Sequence, residues 1–217
     1  MSFKLKYNIG KTEEPSEAIK YETVDLGLPS GTLWAKCNVG AKTETDYGLY
    51  FAWGETQGYT ADEVGTKKSF AWSDYKFNPS GDGTTFTKYN ATDGKSVLDI
   101  EDDAAYVNMG EGWKMPTHAQ IEELFKVSNT NHEIVTKSGI TGMEFTSIKN
   151  GNTLFIPLAG KYLTGKNGDV GSIGYLWSST VLRLSIAGAL CLTAETKNEN
   201  VSTGNQGRYT GCSVRGV

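Results

Sequence analysis

The sequence predicts an α+β protein built of short antiparallel strands, one or two helices and long loops. The chain has 26 glycines but only 5 prolines in 217 residues, which favours frequent turns over long helices. Strand-like runs flank turn residues at several places, whereas only one stretch has a clear helical period. Neither an internal repeat nor a shift in composition divides residues 21–217, so we expect one domain there. Residues 1–20 are polar and predict an arm, better suited to a linker than to assembly.

The first hairpin is predicted from a turn of proline, serine and glycine. Residues 21–28 and 32–39 are strand-like runs on either side of Pro29-Ser30-Gly31. The aromatic-rich segment 46–56 follows, and its density of rings predicts core packing rather than a sugar-binding face. Residues 57–95 are rich in Gly, Thr, Ser, Asp and Lys and therefore predict a long insertion that follows the surface.

A second hairpin is predicted around Asn150-Gly151. This pair is typical of a type I′ turn, in which both residues adopt positive φ, and it separates residues 143–148 from residues 152–157. Residues 159–163 predict a further strand, and residues 166–169 predict a turn toward the C-terminal stretch.

The clearest helix is predicted to follow Thr117. Gln120, three residues later, indicates a capping box, and Ile121, Leu124 and Phe125 recur at helical spacing. This pattern predicts an amphipathic helix that packs its apolar face on the core.

An acidic stretch precedes the second predicted helix. Asp99, Glu101, Asp102 and Asp103 lie just before Ala104–Val107. Calcium binds several converging carboxylate oxygens, but the sequence has no Asp-x-Asp-x-Asp-Gly loop. Acidic residues in the first turn of a helix are also favoured by the helix macrodipole. We therefore predict helix capping, with calcium as the alternative, and no cofactor.

The composition restricts the class of function. A formal net charge of -4 and a pI near 5.3 argue against nucleic-acid binding. No apolar run approaches the roughly 20 residues that span a bilayer. Residues 1–7 are basic but are not followed by the apolar core of a signal peptide.

Few residues in the sequence suggest catalysis. His118 and His132 have no Cys, Ser or second His at useful spacing, so we interpret both as structural or solvated. Cys37, Cys191 and Cys212 cannot all pair within one chain, and they form no C-x-x-C motif. The sequence therefore predicts neither a disulfide scaffold nor a zinc site.

The C-terminal stretch has two regular flanks and an irregular middle. Tyr175–Thr180 and Arg208–Val217 are typical of framework, whereas Val181–Leu192 shows neither the alternation of a half-buried strand nor a helical period. We interpret the middle run as a binding surface that the rest of the chain holds in place.

Five short segments occur in an order that is specific for a family. They are Leu26–Ala35, Tyr50–Thr56, Trp113–Thr117, Tyr175–Thr180 and Ser213–Arg215. Together they resemble the major paralogous domain proteins of gut bacteria and their phages. That family is similar to the C-type lectin fold in its formylglycine-generating-enzyme-like variant. The resemblance spans residues 21–217 and implies this fold for the chain.

A subset of the family resembles the variable proteins of diversity-generating retroelements, in which adenine-directed mutagenesis rewrites codons of a C-terminal segment. Such segments begin near Trp-Ser-Ser, here residues 177–179, and end at Ser-Val-Arg, here residues 213–215. Val181–Leu192 contains only residues that rewritten asparagine codons can encode. The resemblance implies that the varied, ligand-binding positions are Val181, Leu182, Arg183, Leu184, Ser185, Ile186, Ala187, Leu190, Cys191, Ser202, Thr210 and Cys212.

The resemblance implies a ligand-binding display protein rather than an enzyme. It would be extracellular, on a bacterial cell surface or a phage virion, and would recognise a cell-surface protein or glycan. Two alternatives stay open. One is an undiversified carbohydrate-binding protein in which Val181–Leu192 is ordinary buried structure. The other is an enzyme similar to the formylglycine-generating enzymes, in which Cys191 and Cys212 would bind copper.

Overall fold

The computed structural model describes residues 19–182 and 188–217, which form an α+β fold in which strands predominate. Residues 1–18, and with them nearly all of the predicted arm, lie outside the described residues. The α-helices and strands of the described residues are, in chain order, β1 (Thr23–Asp25), β2 (Leu33–Ala35), β3 (Tyr50–Phe51), α1 (Ala104–Met109), α2 (His118–Phe125), β4 (Thr130–Lys137), β5 (Ile140–Ser147), β6 (Thr153–Pro157), β7 (Lys161–Leu163), β8 (Lys166–Gly168), β9 (Ile173–Val181), β10 (Gly188–Glu195), β11 (Asn200–Gly207) and β12 (Cys212–Ser213).

The largest sheet is five-stranded and has the order β11-β10-β9-β12-β3. All neighbours in it are antiparallel except β12 and β9, which run parallel with Ser213 beside Leu176. The C-terminal residues are thereby placed in the middle of this sheet. The two flanks of the predicted binding segment are therefore neighbours in space.

The five-stranded sheet separates two hydrophobic cores. The first core is largely aromatic and includes Trp53, Tyr89 and Trp177. The second core is largely aliphatic and includes Leu124 from α2 and Leu176 from β9. Leu176 and Trp177 belong to different cores because successive side chains of a strand point to opposite faces.

The three-stranded sheet, in the order β4-β5-β6, confirms the second predicted hairpin but not its turn type. The non-glycine residues with positive φ do not include Asn150, so the β5–β6 connection is not a type I′ turn. Ser138 and Gly139, between β4 and β5, have φ of 48° and 80° and meet the positive-φ requirement instead. His132 lies on β4, not in the loop that the sequence predicted.

The first predicted hairpin is confirmed, since β1 pairs antiparallel with β2. The predicted strand at residues 159–163 is confirmed in part as β7, which pairs with β8. Residues 166–169 were predicted to turn, but Lys166–Gly168 forms β8. Turns lie on both sides of β8. Thr164 and Gly165 precede it with positive φ, and after it the Asp169 carbonyl accepts hydrogen bonds from the amides of Ser172 and Ile173, so the predicted turn is confirmed only at Asp169.

Residues 57–95 do more than follow the surface. Phe70, Tyr75, Phe77 and Tyr89 are at most 3% exposed and form a large part of the first core. The prediction of a surface insertion is therefore wrong for its aromatic residues. The polar composition of the segment hid these rings because they lie far apart in the sequence.

Both predicted helices are present with the expected caps. The Asp103 carboxylate accepts hydrogen bonds from the backbone amides of Ala105 and Tyr106 at the start of α1. Thr117 and Gln120 form the capping box of α2. The helix-capping interpretation is confirmed for Asp103.

Candidate binding surface

All six residues of the Trp-Ser-Ser and Ser-Val-Arg motifs are buried. Trp177 and Arg215 are 0% exposed, and Ser178, Ser179, Ser213 and Val214 are also buried. The indole Nε1 of Trp177 donates a hydrogen bond of 2.8 Å to the carbonyl oxygen of Phe51 on β3. The two motifs are therefore rigid framework on either side of the segment between them.

A bulge in β9 redirects the chain immediately after Trp177. Cys191 lies opposite Trp177 and Ala189 lies opposite Val181, so three residues of β9 face one residue of β10. The backbone of the bulge is tied from both sides. The indole of Trp53 donates to the Ser178 carbonyl at 2.9 Å, and the Ser179 amide donates to the Pro116 carbonyl at 2.8 Å.

Arg215 anchors the other flank through two neutral acceptors. Its Nε donates to Asn38 Oδ1 at 2.9 Å, and its Nη1 donates to the Phe155 carbonyl at 2.8 Å. Burial lowers the pKa of Arg215 to about 10, because the charged form loses hydration inside the protein. Arg215 thereby joins the C-terminal strand to two other parts of the chain.

The strands β9 and β10 come together at one end of the sheet. The Leu182 amide donates to the Gly188 carbonyl at 3.3 Å, and Gly188 pairs with Gly207 of β11. Leu182 is half-buried. Five of the predicted ligand-binding residues, and the side chain of a sixth, lie outside the described residues; they are Arg183, Leu184, Ser185, Ile186, Ala187 and, for its side chain only, Leu190.

Four of the predicted ligand-binding residues are buried, which corrects the prediction. Val181, Cys191, Thr210 and Cys212 are between 0% and 4% exposed. A ligand cannot contact them while the protein keeps this structure. Burial also raises the pKa of the Cys191 thiol to about 11 and that of Cys212 well above its ordinary value.

The irregular composition of Val181–Leu192 has a structural cause in its second half. Cys191 of β10 packs in the first core, and the next residue, Leu192, packs in the second. A strand that is covered on both faces has no solvent side and therefore shows no alternation of apolar and polar residues. The missing alternation thus indicates double burial for β10, whose described residues are partly exposed only at the two ends of the strand, at Gly188 and Glu195.

Ser202 lies on the outer strand β11, where it is partly exposed opposite Thr193 of β10. It is accessible from the edge of the sheet. Of the predicted ligand-binding residues whose side chains the structure describes, only Leu182 and Ser202 are not buried.

An aromatic pair lies beside the end of the sheet and was not predicted as part of the site. The rings of Trp72 and Tyr209 have centroids 4.3 Å apart, and both side chains are partly exposed. A Cβ atom on Gly207 would lie 2.6 Å from Tyr209, so the tyrosine ring occupies the space that a side chain would need there. Local sequence could not reveal this contact because Trp72 belongs to the distant segment 57–95.

Val97 and His118 complete the surroundings of this end of the sheet. Val97 is 44% exposed and pairs with Thr180 through an isolated bridge. The His118 amide donates to the Thr180 hydroxyl at 3.1 Å, and its imidazole lies 3.3 Å from Glu122. We name Leu182, Val97, Trp72, Tyr209 and the backbone of Gly188 and Gly207 the end surface.

The acidic cluster is organised around a lysine. The Nζ atom of Lys88 lies 2.8, 3.1 and 2.6 Å from carboxylate oxygens of Asp99, Glu101 and Asp102. Lys76 adds a second ion pair to Asp102, at 2.7 Å. Burial alone would raise the pKa of Asp102, but its lysine partners hold it below the ordinary value. Because an ammonium group takes the position between these carboxylates, the arrangement does not favour the calcium alternative.

The cleft beside Glu55 also contains a satisfied ion pair rather than a site. Lys68 lies 2.8 Å from Glu55, and both side chains are less than a tenth exposed. Glu55 also accepts a hydrogen bond from the Lys76 amide at 2.8 Å. These contacts join the segment 57–95 to Glu55, which lies just after β3. They indicate a structural role for the Lys68–Glu55 ion pair.

In the part of the chain that the structure describes, no helix is long and apolar enough to cross a membrane. Comparison with models of protein families, with curated proteins and with solved structures gives no match for this chain.

Proposed function

We propose that this protein is a ligand-binding display protein whose C-terminal segment is diversified by a retroelement. It would bind a cell-surface protein or glycan and act outside the cell, on a bacterial surface or a phage virion. The supporting observation is the contrast between the fully buried Trp-Ser-Ser and Ser-Val-Arg motifs and the end surface between β9 and β10.

A rigid support is what a variable binding surface requires. The backbone at Ser178 and Ser179 is fixed by Trp53 and Pro116, and the chain reaches Leu182 only two residues beyond Thr180. New side chains carried beyond such anchors can gain affinity without the cost of ordering the backbone. Leu182 and Gly188, the described residues on either side of positions 183–187, are joined to each other and to β11 by backbone pairing.

The end surface also offers contacts that diversification would leave unchanged. Trp72 lies outside the segment between the two motifs, whereas Tyr209 lies inside it. Partly exposed Trp and Tyr rings often form the energetic centres of protein interfaces. We propose that Trp72, which packs against Tyr209, forms a constant contact beside the variable residues.

The finer fold assignment belongs to the same proposal. We propose a C-type lectin-like fold of the formylglycine-generating-enzyme-like variant. The strand-rich α+β architecture, with its long irregular segments and with α2 against the five-stranded sheet, is compatible with it. Cys191 and Cys212 are both 0% exposed, so a substrate has no access to either thiol in this structure, which favours the binding proposal over the enzyme alternative.

Substitutions at two neighbouring residues, Val181 and Leu182, test where along the chain the proposed binding surface begins. We expect Leu182→Ser to change the free energy of unfolding by less than about 1 kcal/mol, because its side chain is already partly in water. Val181→Ser should cost about 2 kcal/mol or more, because the buried valine loses its apolar contacts and a hydroxyl group enters the core. Urea unfolding at pH 7 measures both values.

The valine variant is the matched control, since both substitutions introduce serine at the same end of the sheet. An equal and large loss of stability in both variants would show that Leu182 is core. The proposed display surface would then have no described side chain from the segment between Val181 and Gly188.

A further inference from the structure

The strand β11 forms an outer edge of the five-stranded sheet. It pairs with β10 over all eight residues, from Asn200 opposite Glu195 to Gly207 opposite Gly188. Within residues 19–182 and 188–217, no strand pairs with its other side. Alternate backbone N–H and C=O groups of such an edge point outward and can pair with another strand.

The sequence of β11 lacks the features that usually prevent edge pairing. Natural edge strands are protected by charged residues, proline or bulges. Asn200–Gly207 contains no Lys, Arg, Asp, Glu or Pro, and its pairing with β10 has no break in register. The other eight-residue edge strand, β4, carries Glu133 and Lys137. Among the described residues, α2 contacts β11, but the strand itself has no charge, proline or bulge that would oppose pairing at its outer edge.

We propose that β11 pairs antiparallel with β11 of a second copy of this chain, so that two sheets join across a two-fold axis. A two-fold axis places the strand opposite its own sequence, and an uncharged strand avoids the like-charge repulsion that this would otherwise create. A two-fold axis at Gly204 keeps each face of the two sheets on the same side, and it puts Ser202 opposite Gln206 and Thr203 opposite Asn205, which are uncharged polar side chains able to hydrogen bond. A foreign peptide would gain no comparable advantage from the absence of charge.

The pairing has a geometric consequence for the end surface. Each end surface lies at the Gly207 end of its β11. With the two-fold axis at Gly204 the two Gly207 ends lie apart by about 20 Å along the strands, from a rise of about 3.3 Å per residue. The dimer would then present two binding surfaces and gain avidity on a multivalent target. This consequence rests on the proposed function, whereas the dimer itself does not.

Analytical ultracentrifugation of the full chain tests the proposal. We expect the unmodified protein to sediment as a dimer at roughly 100 μM, as a modest interface would allow. The double variant Ser202→Lys, Asn205→Lys should weaken dimerisation at least tenfold, because it places four positive charges along the joined edges of the two copies. The matched control, Ser80→Lys with Ser128→Lys, adds the same charge at exposed positions away from β11 and should remain dimeric.

Hydrogen exchange on the unmodified protein provides a test that does not depend on a variant. Outward amides of β11 should become protected as the protein concentration rises through the dimerisation range. Protection that is independent of concentration would show that another part of the same chain covers the edge. A monomer at every concentration, or a dimer that the β11 lysines leave intact, would also overturn the proposal.

Discussion

Replacing Arg215 by alanine is expected to lower the free energy of unfolding by about 3–5 kcal/mol. The substitution leaves Asn38 Oδ1 and the Phe155 carbonyl without their donor and opens a cavity beside them. Burial of the guanidinium group already costs hydration energy, as its lowered pKa indicates, so relief of that cost offsets part of the loss. Urea unfolding at pH 7 measures the change.

Two controls separate the causes of this effect. Arg215→Met fills much of the volume but restores no hydrogen bond, so it should recover only the part of the loss that is due to the cavity. Lys126→Met removes an exposed positive charge and should change stability by less than about 0.5 kcal/mol. If Arg215→Ala cost no more than the Lys126 control, Arg215 would not be an anchor of the framework.

The second large effect is expected at Trp177. Trp177→Ala should cost about 3–5 kcal/mol, because the indole is fully buried in the first core and donates to the Phe51 carbonyl. Trp72→Ala is the matched control, since it removes the same side chain from a partly exposed position on the end surface. It should cost less than half as much. Thermal and urea unfolding of both variants measure the difference.

This comparison of tryptophans also tests the division between framework and surface. A Trp72 variant as unstable as the Trp177 variant would show that the aromatic pair with Tyr209 is chiefly structural. The proposed constant contact would then lose its support, while the framework role of Trp177 would stand.

Local signals in the sequence predicted local structure well. Asp103 predicts the start of α1, and the capping box of Thr117 and Gln120 predicts the start of α2. The turn residues predict both hairpins. The type I′ prediction was wrong at Asn150 because a dipeptide does not define the length of its loop. Ser138 and Gly139 carried a weaker signal but have the positive φ values.

Long-range packing was much harder to predict. Cys191 and Leu192 look irregular in the sequence because opposite faces of β10 enter different cores. No local pattern in the sequence shows that a second layer covers a strand. The absence of alternation therefore predicts a binding surface along all of Val181–Leu192, whereas the structure buries both faces of β10. The pairing of Trp72 with Tyr209 likewise depends on how a distant segment folds back on the sheet.

The most direct test of the proposed function is to sequence the codons for residues 170–217, with the downstream DNA, in many cells of the source population. The proposal predicts substitutions at adenines copied from a nearby, nearly identical template. They should concentrate at positions 182–187, 190 and 202, spare Trp177 and Arg215, and be fewer at the buried positions Val181, Cys191, Thr210 and Cys212. An invariant segment with no template or reverse transcriptase nearby would contradict the account.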